Sequence, residues 1–156
     1  MIIKNNDNLK EIISGLKSKS KTIALTNGCF DILHIGHARY LKQAKELADI
    51  LIVGINSDSS VKQLKGENRP INNENDRAEL LSYFKFIDYV VIFNEKTADN
   101  LLLSIKPDIY VKGGDYTKES LPEKNSIDKI NANVAFIDFV NGYSTTNIIN
   151  RSKNNI

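Results

Sequence analysis

Short apolar runs alternate with amphipathic stretches along most of this chain. The runs have the length of buried strands, and the amphipathic stretches repeat their apolar residues every three or four positions, as helices do. Strands that alternate with helices indicate a parallel sheet covered on both faces, so the expected fold class is α/β with about five strands. The predicted strands lie near 22–27, 50–55, 88–93, 108–112 and 134–139, and the predicted helices over 7–17, 37–48, 75–84, 97–105 and 144–152.

Two polar stretches of this pattern are predicted to be loops. Residues 57–74 carry a short helix near 59–64, and residues 113–128 form a loop because they are mostly polar and include Pro122. At the start of the leading helix, Asp7 or Asn8 is expected to be the cap.

Length and composition agree with one compact domain over residues 1–156. The sequence has no secretory leader and no run of about 18 apolar residues, so neither export nor a membrane span is expected. The single cysteine, Cys29, suits a reducing compartment, and we expect a cytoplasmic protein. A net charge of +2 is too small to indicate a nucleic-acid partner.

The most informative segment runs from Thr26 to His37, where the first of these strands gives way to a helix. It contains both histidines of the chain, His34 and His37, with Gly36 between them. A helix N-terminus favours phosphate through its unpaired N–H groups and dipole, and imidazoles add further donors. Gly36 leaves room for a polyphosphate to approach the backbone. The segment therefore predicts a nucleoside triphosphate site.

Other uses of this segment are less well supported by the residues. Zinc sites usually take three or four His, Cys or carboxylate ligands, but this chain has only two histidines and one cysteine. Asp31 could complete a set, yet nothing else nearby resembles a ligand. Cys29 could also be a nucleophile activated by a histidine, but no third group of such an arrangement is apparent.

With these motifs the sequence resembles the small nucleotidyltransferases that carry the His-x-Gly-His signature, relatives of the cytidylyltransferases. The resemblance covers about residues 20–150 and implies a Rossmann-like doubly wound fold of the HUP and nucleotidyltransferase type. It is strongest toward the D-glycero-β-D-manno-heptose 1-phosphate adenylyltransferase domain of bifunctional heptose kinase/adenylyltransferases. Further motifs follow in that family's order: Asn56-Ser57-Asp58, Lys65-Gly66, Arg69-Pro70, Arg77, Val111-Lys112-Gly113-Gly114-Asp115-Tyr116 and Gly142-Tyr143-Ser144-Thr145-Thr146-Asn147.

These motifs follow four of the predicted strands, and ligands of open parallel sheets bind beyond the carboxyl ends of the strands. The resemblance implies that His34, His37 and Asp31 are catalytic. The implied nucleotide ligands are Gly28, Cys29, Phe30, Gly36, Arg77, Lys112, Gly114, Asp115, Ser144, Thr145 and Thr146. The implied ligands of the sugar phosphate are Asn56, Asp58, Lys65 and Arg69.

Several of these roles have structural alternatives. Asp31 is expected to orient the phosphate-binding loop or to coordinate Mg²⁺ through water, with helix capping as the alternative. Lys65, Arg69 and Arg77 are expected to form a lid over the phosphates, with a solvated charged loop as the alternative. An ordinary cap would explain one hydroxyl of the stretch 144–146.

The expected reaction is attack of a sugar phosphate oxygen on the α-phosphorus of ATP, which needs no general base because the attacking group is already anionic. The resemblance implies ATP and D-glycero-D-manno-heptose 1-phosphate as substrates, Mg²⁺ with the ATP, and ADP-heptose for a bacterial surface glycan as product. The alternatives are a glycerol-3-phosphate cytidylyltransferase and a noncatalytic nucleotide sensor. A homodimer is expected, and the chain is either a stand-alone enzyme or a domain excised from a kinase fusion.

Overall fold

In the computed structural model of the chain, which describes residues 1–3, 5–114, 116–138 and 144–153, the strands form one parallel sheet. The strands are β1 (Ile2–Ile3), β2 (Ile23–Gly28), β3 (Ile50–Asn56), β4 (Tyr89–Phe93), β5 (Ile109–Gly113) and β6 (Asn133–Ile137). The helices are α1 (Asn6–Ser18), α2 (Ile35–Lys45), α3 (Asp58–Lys65), α4 (Glu74–Ser82), α5 (Asp99–Ile105), α6 (Lys124–Ile130) and α7 (Thr145–Lys153), with a 3₁₀ turn at Lys118–Ser120.

The predicted strands and helices are all present, and the α/β fold class is confirmed. The expectation of about five strands was one too low, because β1 has only two residues and is too short to form a hydrophobic pattern; it pairs with β4 at the sheet edge. The loop prediction for 113–128 was wrong in its second half, where the seven-residue α6 begins. The cap of α1 is Asn5, whose side chain accepts the amide hydrogen of Asn8.

The order of the strands places a crevice between β2 and β5. The sheet order is β1-β4-β3-β2-β5-β6, and every neighbouring pair is parallel. From β2 the chain moves outward through β3 to β4, and then returns to the other side of β2 with β5. Such a reversal opens a ligand-binding crevice beyond the carboxyl ends of the two strands. These ends are Gly28 and Gly113.

Two apolar cores fill the space between the sheet and its helices. On one face Leu25 and Tyr110 pack with residues of α1, α5 and α6. On the other face Ala24 and Val53 pack with residues of α2 and α4. Both faces of the central strands are buried, which explains their nearly continuous apolar sequence. Within the described ranges, no helix combines the length and apolar character that crossing a bilayer demands.

Gly54 of β3 is predicted to be essential for packing, because a Cβ there would lie 2.5 Å from Leu101 Cδ2 of α5. Gly54→Ala is expected to lower the free energy of unfolding by about 1–3 kcal/mol, since the Leu101 side chain is buried in the core and must shift to make room. Gly15→Ala is the matched control: no atom lies within 4 Å of the new Cβ, and the free energy should rise by about 0.5–1 kcal/mol. Urea denaturation of both variants measures the difference, and unchanged stability of Gly54→Ala would contradict the prediction.

Candidate active site

The segment from Cys29 to His34 connects β2 to α2 and forms the centre of the candidate site; we call it the β2–α2 loop. Phe30 has a φ of 47°, a left-handed conformation that is unfavourable for a bulky residue. The loop ends at His34, the N-cap of α2, whose Nδ1 accepts the backbone N–H of His37 at 3.4 Å. In neutral His34 the proton therefore lies on Nε2, which makes this nitrogen the hydrogen-bond donor of the ring.

The two imidazoles stack on each other. Their ring centroids are 3.8 Å apart, and the ring of Phe30 meets His37 edge-on at 5.3 Å. Burial, with a contribution from nearby His34, lowers the pKa of His37 to about 4, and burial lowers the pKa of His34. Both rings are therefore neutral at pH 7. His37 Nδ1 is buried and has no hydrogen-bond partner among the described residues.

Glycines lie at this edge of the sheet, where the lack of a side chain lets a ligand come close to the backbone. Gly28 ends β2, and a Cβ there would lie 3.1 Å from the ring of Phe30. Gly36 is buried in the first turn of α2. Gly114 follows β5 with a φ of 94°, and its amide donates to the carbonyl oxygen of Ile137 at 3.1 Å. A side chain at Gly114 would be strained whatever the available space.

Asp31 holds the segment 69–72 against the β2–α2 loop. Its carboxylate is buried and accepts hydrogen bonds from Arg69 Nε and from the backbone amides of Ile71 and Asn72, at 2.7 and 3.0 Å for the amides. Both carboxylate oxygens are thus used, which supports the orienting role. No group of three or more His, Cys, Asp or Glu residues that could hold a metal occurs in the described part of the chain.

Arg77 of α4 is buried and binds three protein oxygens. It donates to the carbonyl oxygens of Asn72 at 2.9 Å and Cys29 at 2.5 Å, and to Asp58 Oδ1 at 2.7 Å. Its side chain is only 1% exposed, so it is not available as the lid residue expected from the sequence. The inward-facing position of Arg77 on α4 explains the difference. In this structure Arg77 shapes the site instead of lining it.

Cations and carboxylates both lie around the β2–α2 loop, where Arg69 is paired with Asp31 and Arg77 with Asp58. Burial raises the pKa of the Cys29 thiol, and the charges of Lys65, Arg77 and Arg69 offset part of that increase. A thiol with a raised pKa is a poor nucleophile at neutral pH, which weakens the alternative role of Cys29. Because Arg69 and Arg77 are already paired with carboxylates, Lys65 is the residue of these three that can offer its charge to a polyphosphate. Lys65, at the end of α3, is exposed and available to a ligand.

The N-terminus of α7 reaches this loop from a distant part of the chain. Thr145 Oγ1 donates to the carbonyl oxygen of Ile32 at 3.2 Å, and Ser144 Oγ accepts the amide hydrogen of Asn147 at 3.1 Å. Thr146 is exposed. One of the three hydroxyls is therefore an ordinary cap, as the alternative interpretation allowed, and a second anchors the helix to the loop.

Other predicted ligands do not turn toward the histidines. Asn56 is buried at the end of β3 and donates to Ser60 Oγ and the carbonyl oxygen of Glu95. Lys112 lies on the opposite face of the sheet from α2, in contact with Asn27 and Tyr110. Asp115, predicted to bind the nucleotide, lies outside the described residues.

Sequence reasoning missed some polar residues of this edge. Asn72 donates through Nδ2 to the carbonyl oxygen of Asp31 at 2.8 Å, and Asn27 directly precedes Gly28, the last residue of β2. Asn27 could have been found, because it follows an apolar run just as Asn56 does. Nothing in the local pattern marks Asn72 or the buried Glu123, since their partners are distant in sequence.

The sequence of this chain is similar to those of known proteins. The family model described as cytidylyltransferase-like matches residues 25–151. A curated relative, the bifunctional protein HldE of Geobacter metallireducens, is 49% identical over 149 residues, which cover 96% of this chain and 30% of that protein. The chain thus spans less than a third of this relative's length.

Solved structures give a consistent result. The lipopolysaccharide core biosynthesis protein from Thermoplasma volcanium is 31% identical, with a TM-score of 0.64 over 77% of this chain and 97% of that one. A pantoate-β-alanine ligase from Francisella tularensis is 15% identical, with a TM-score of 0.66 over 98% of this chain and 77% of that one, and shares the fold.

Arg77 is predicted to be required for stability because it is buried and its loss would remove the donor that joins the carbonyl oxygens of Cys29 and Asn72 to Asp58. Arg77→Ala should lower the free energy of unfolding by about 3 kcal/mol, and Arg77→Lys, whose single nitrogen cannot span oxygens that the guanidinium reaches through three nitrogens, should lower it by a smaller amount. Arg39 of α2 is exposed, so Arg39→Ala is a control expected to change little. The three variants are compared by urea denaturation, and equal stabilities for Arg77→Ala and Arg39→Ala would disprove the role.

Proposed function

Because this chain belongs to the cytidylyltransferase-like family, we propose that it transfers AMP from ATP to D-glycero-D-manno-heptose 1-phosphate. The products are pyrophosphate and ADP-heptose, for bacterial lipopolysaccharide core or another surface glycan. The observation that carries the proposal is the pair of neutral, stacked imidazoles at the first turn of α2, with Lys65, Arg69 and Arg77 around the preceding loop. The resemblance of the Lys112–Tyr116 motif and of Asn147 to the heptose branch supports the sugar.

In the proposed reaction an oxygen of the sugar phosphate forms a bond to the α-phosphorus of ATP, and the bond from that phosphorus to the bridging oxygen of pyrophosphate breaks. His34 donates from Nε2 to a phosphate oxygen, and His37 donates from its protonated ring nitrogen. These donors and the amides of the α2 N-terminus are in place before charge develops, which is the most effective form of electrostatic catalysis. Lys65 offsets the charge of the leaving pyrophosphate.

Asp31 and Arg77 act as positioning residues in this proposal. Both join the β2–α2 loop to residues 69–77, Asp31 through Arg69 and the segment 69–72 and Arg77 through the carbonyl oxygen of Cys29. ATP enters as its Mg²⁺ complex, with the metal held mainly by phosphate oxygens, as Mg²⁺ prefers. Both oxygens of the buried Asp31 carboxylate are occupied by Arg69 and two backbone amides, so the proposal gives Asp31 no part in holding that metal.

We also propose that the enzyme works in the cytoplasm, because it consumes ATP in the proposed reaction. Residues 1–156 are proposed to act as one nucleotidyltransferase domain. A homodimer is also proposed, since Leu80 and Tyr83 of the α4 segment are 50% and 70% exposed and lie one helical turn apart. Exposed apolar side chains that are neighbours on a helix are typical of contact surfaces.

The homodimer is predicted to give a sedimenting mass near twice the chain mass of 17.5 kDa. Leu80→Glu should shift the protein toward the monomer, because it introduces two repelling charges across a symmetric interface. Lys62→Glu, on the exposed side of α3, is the control and should leave the dimer intact. A monomeric wild type at all concentrations would refute the dimer.

Activity is predicted to appear as pyrophosphate release only with ATP and the heptose 1-phosphate. ATP and CTP are tested separately against heptose 1-phosphate and glycerol 3-phosphate, with Mg²⁺ present. His34→Ala and His37→Ala should each lower kcat about 100-fold to 1000-fold, as loss of one preorganised donor does. Arg39→Ala, on the exposed face of the same helix, should retain full activity.

Other outcomes of the same assay would change the assignment. Turnover of CTP with glycerol 3-phosphate would identify the cytidylyltransferase branch instead. Binding of ATP without turnover of any acceptor would identify a nucleotide sensor. Full activity in both histidine variants would overturn the mechanism even if the substrates were correct.

A further inference from the structure

A buried polar cluster lies at the carboxyl ends of β2 and β5, on the face of the sheet opposite α2. It consists of Asn27, Tyr110, Lys112 and Glu123. The side chains of Lys112 and Glu123 are 16% and 3% exposed, so this is a buried pair of opposite charges. Burying two charges costs several kcal/mol unless they are well paired and hydrogen-bonded.

The pairing of Lys112 is loose. Its Nζ lies 3.3 Å from Asn27 Oδ1, 3.3 Å from the Tyr110 hydroxyl and 3.8 Å from Glu123 Oε1. Charge-assisted hydrogen bonds of an ammonium are typically about 2.7–2.9 Å long. By comparison, the ion pair between Lys45 and Asp88 measures 2.8 Å. Among the residues that the structure describes, the Lys112 ammonium therefore has no anionic partner at that shorter distance.

Glu123 is also incompletely used. Oε1 accepts the amide hydrogen of Ala98 at 3.2 Å, whereas Oε2 is buried and has no hydrogen-bond partner among the described residues. A pair that served stability alone would be expected to close to full contact, because an unsatisfied buried oxygen is costly. The backbone contact at Ala98 instead holds Glu123 in place, near Lys112 but apart from it.

The cluster lies beside the crevice between β2 and β5. Asn27 directly precedes Gly28 and the β2–α2 loop, and Lys112 directly precedes Gly113 and Gly114. The hydrogen bond from Tyr110 to Asn27, 2.6 Å long, joins the two strand ends. The ammonium is thus held where the reversal of strand order opens the sheet to ligands.

We propose that Glu123 is a positioning residue that holds the Lys112 ammonium at this crevice, where it binds a phosphate group of a substrate. This inference rests on the proposed function and adds Glu123 to it. A carboxylate at 3.8 Å keeps the ammonium charged without engaging it fully, so that a phosphate oxygen can take the closer position. Either ATP or the sugar phosphate can supply that group.

The other titratable groups near the cluster are not expected to change their charge around neutral pH, so the charge of Lys112 depends mainly on Glu123. Burial lowers the pKa of Lys112 and Glu123 raises it, whereas burial raises the pKa of Tyr110 far above neutral pH. Asp99 of α5 is bonded to Ser126, and burial raises the pKa of Tyr40 to about 12. Removal of the Glu123 charge is therefore expected to favour the neutral amine of Lys112.

The test is Glu123→Gln, which keeps the shape and the acceptor for Ala98 but removes the charge. Binding of ATP and of heptose 1-phosphate is measured separately by calorimetry between pH 6 and pH 9, on the intact chain. For the substrate whose phosphate meets Lys112, affinity of the variant should fall with rising pH, approaching about tenfold per pH unit once the amine is neutral. The wild type should show this fall only at higher pH. The exposed Glu119→Gln is the matched control and should bind like the wild type.

Lys112→Met provides the second measurement. This variant should bind the same substrate more weakly than the wild type at every pH. The double variant Lys112→Met/Glu123→Gln should bind no more weakly than Lys112→Met, because the carboxylate acts through the ammonium. Urea denaturation of each variant confirms that it folds. Equal pH profiles for folded Glu123→Gln and the wild type, or additive losses in the double variant, would overturn the proposal. Because binding is measured directly, an absence of turnover would count against the proposed function and not against this pair.

Discussion

The site depends on two buried charges that cross between the β2–α2 loop and the segment that enters α4. Asp31 extends from the loop to Arg69 and nearby amides, and Arg77 extends from α4 to the carbonyl oxygen of Cys29. Each charge is satisfied by several hydrogen bonds, which is the condition under which a buried charge is tolerated. One side chain thus reaches out from the loop, and the other reaches back to it from α4. Together they hold a loop in which Phe30 has an unfavourable backbone conformation.

The fixed position of the loop sets the protonation state of the two histidines. His34 and His37 are held face to face on the first turn of α2, and two cationic rings at that separation would repel each other. Burial and proximity thus keep them neutral, while the permanent cations Arg69 and Arg77 are tied to protein oxygens nearby. In the proposed reaction, such neutral donors can follow charge from the α-phosphate to the leaving group without changing protonation state.

The sequence predicted the elements and the contiguous motif but not the direction of every side chain. The central strands were predictable because both faces are buried and their apolar runs are continuous. The stretch from Gly28 to His37 was predictable because one strand, one turn and one helix start carry it. The resemblance named Arg77 and Lys112 as ligands, but the direction of each side chain depends on its position in the element. Arg77 faces inward on α4, and Lys112 lies on the face of β5 opposite α2. Contacts such as that between Asp31 and Asn72 join residues about forty positions apart, which no local pattern reveals.

The contact between Thr145 and Ile32 joins residues 113 positions apart. During synthesis on the ribosome, the β2–α2 loop emerges long before α7, and a domain generally folds as a unit. A nascent chain that has released the loop but not α7 therefore lacks the Thr145 contact, and the edge of the sheet that carries the candidate site stays incomplete until α7 emerges. Competence for binding is thus acquired late in translation, so that interrupted chains carry the signature motif without the assembled site.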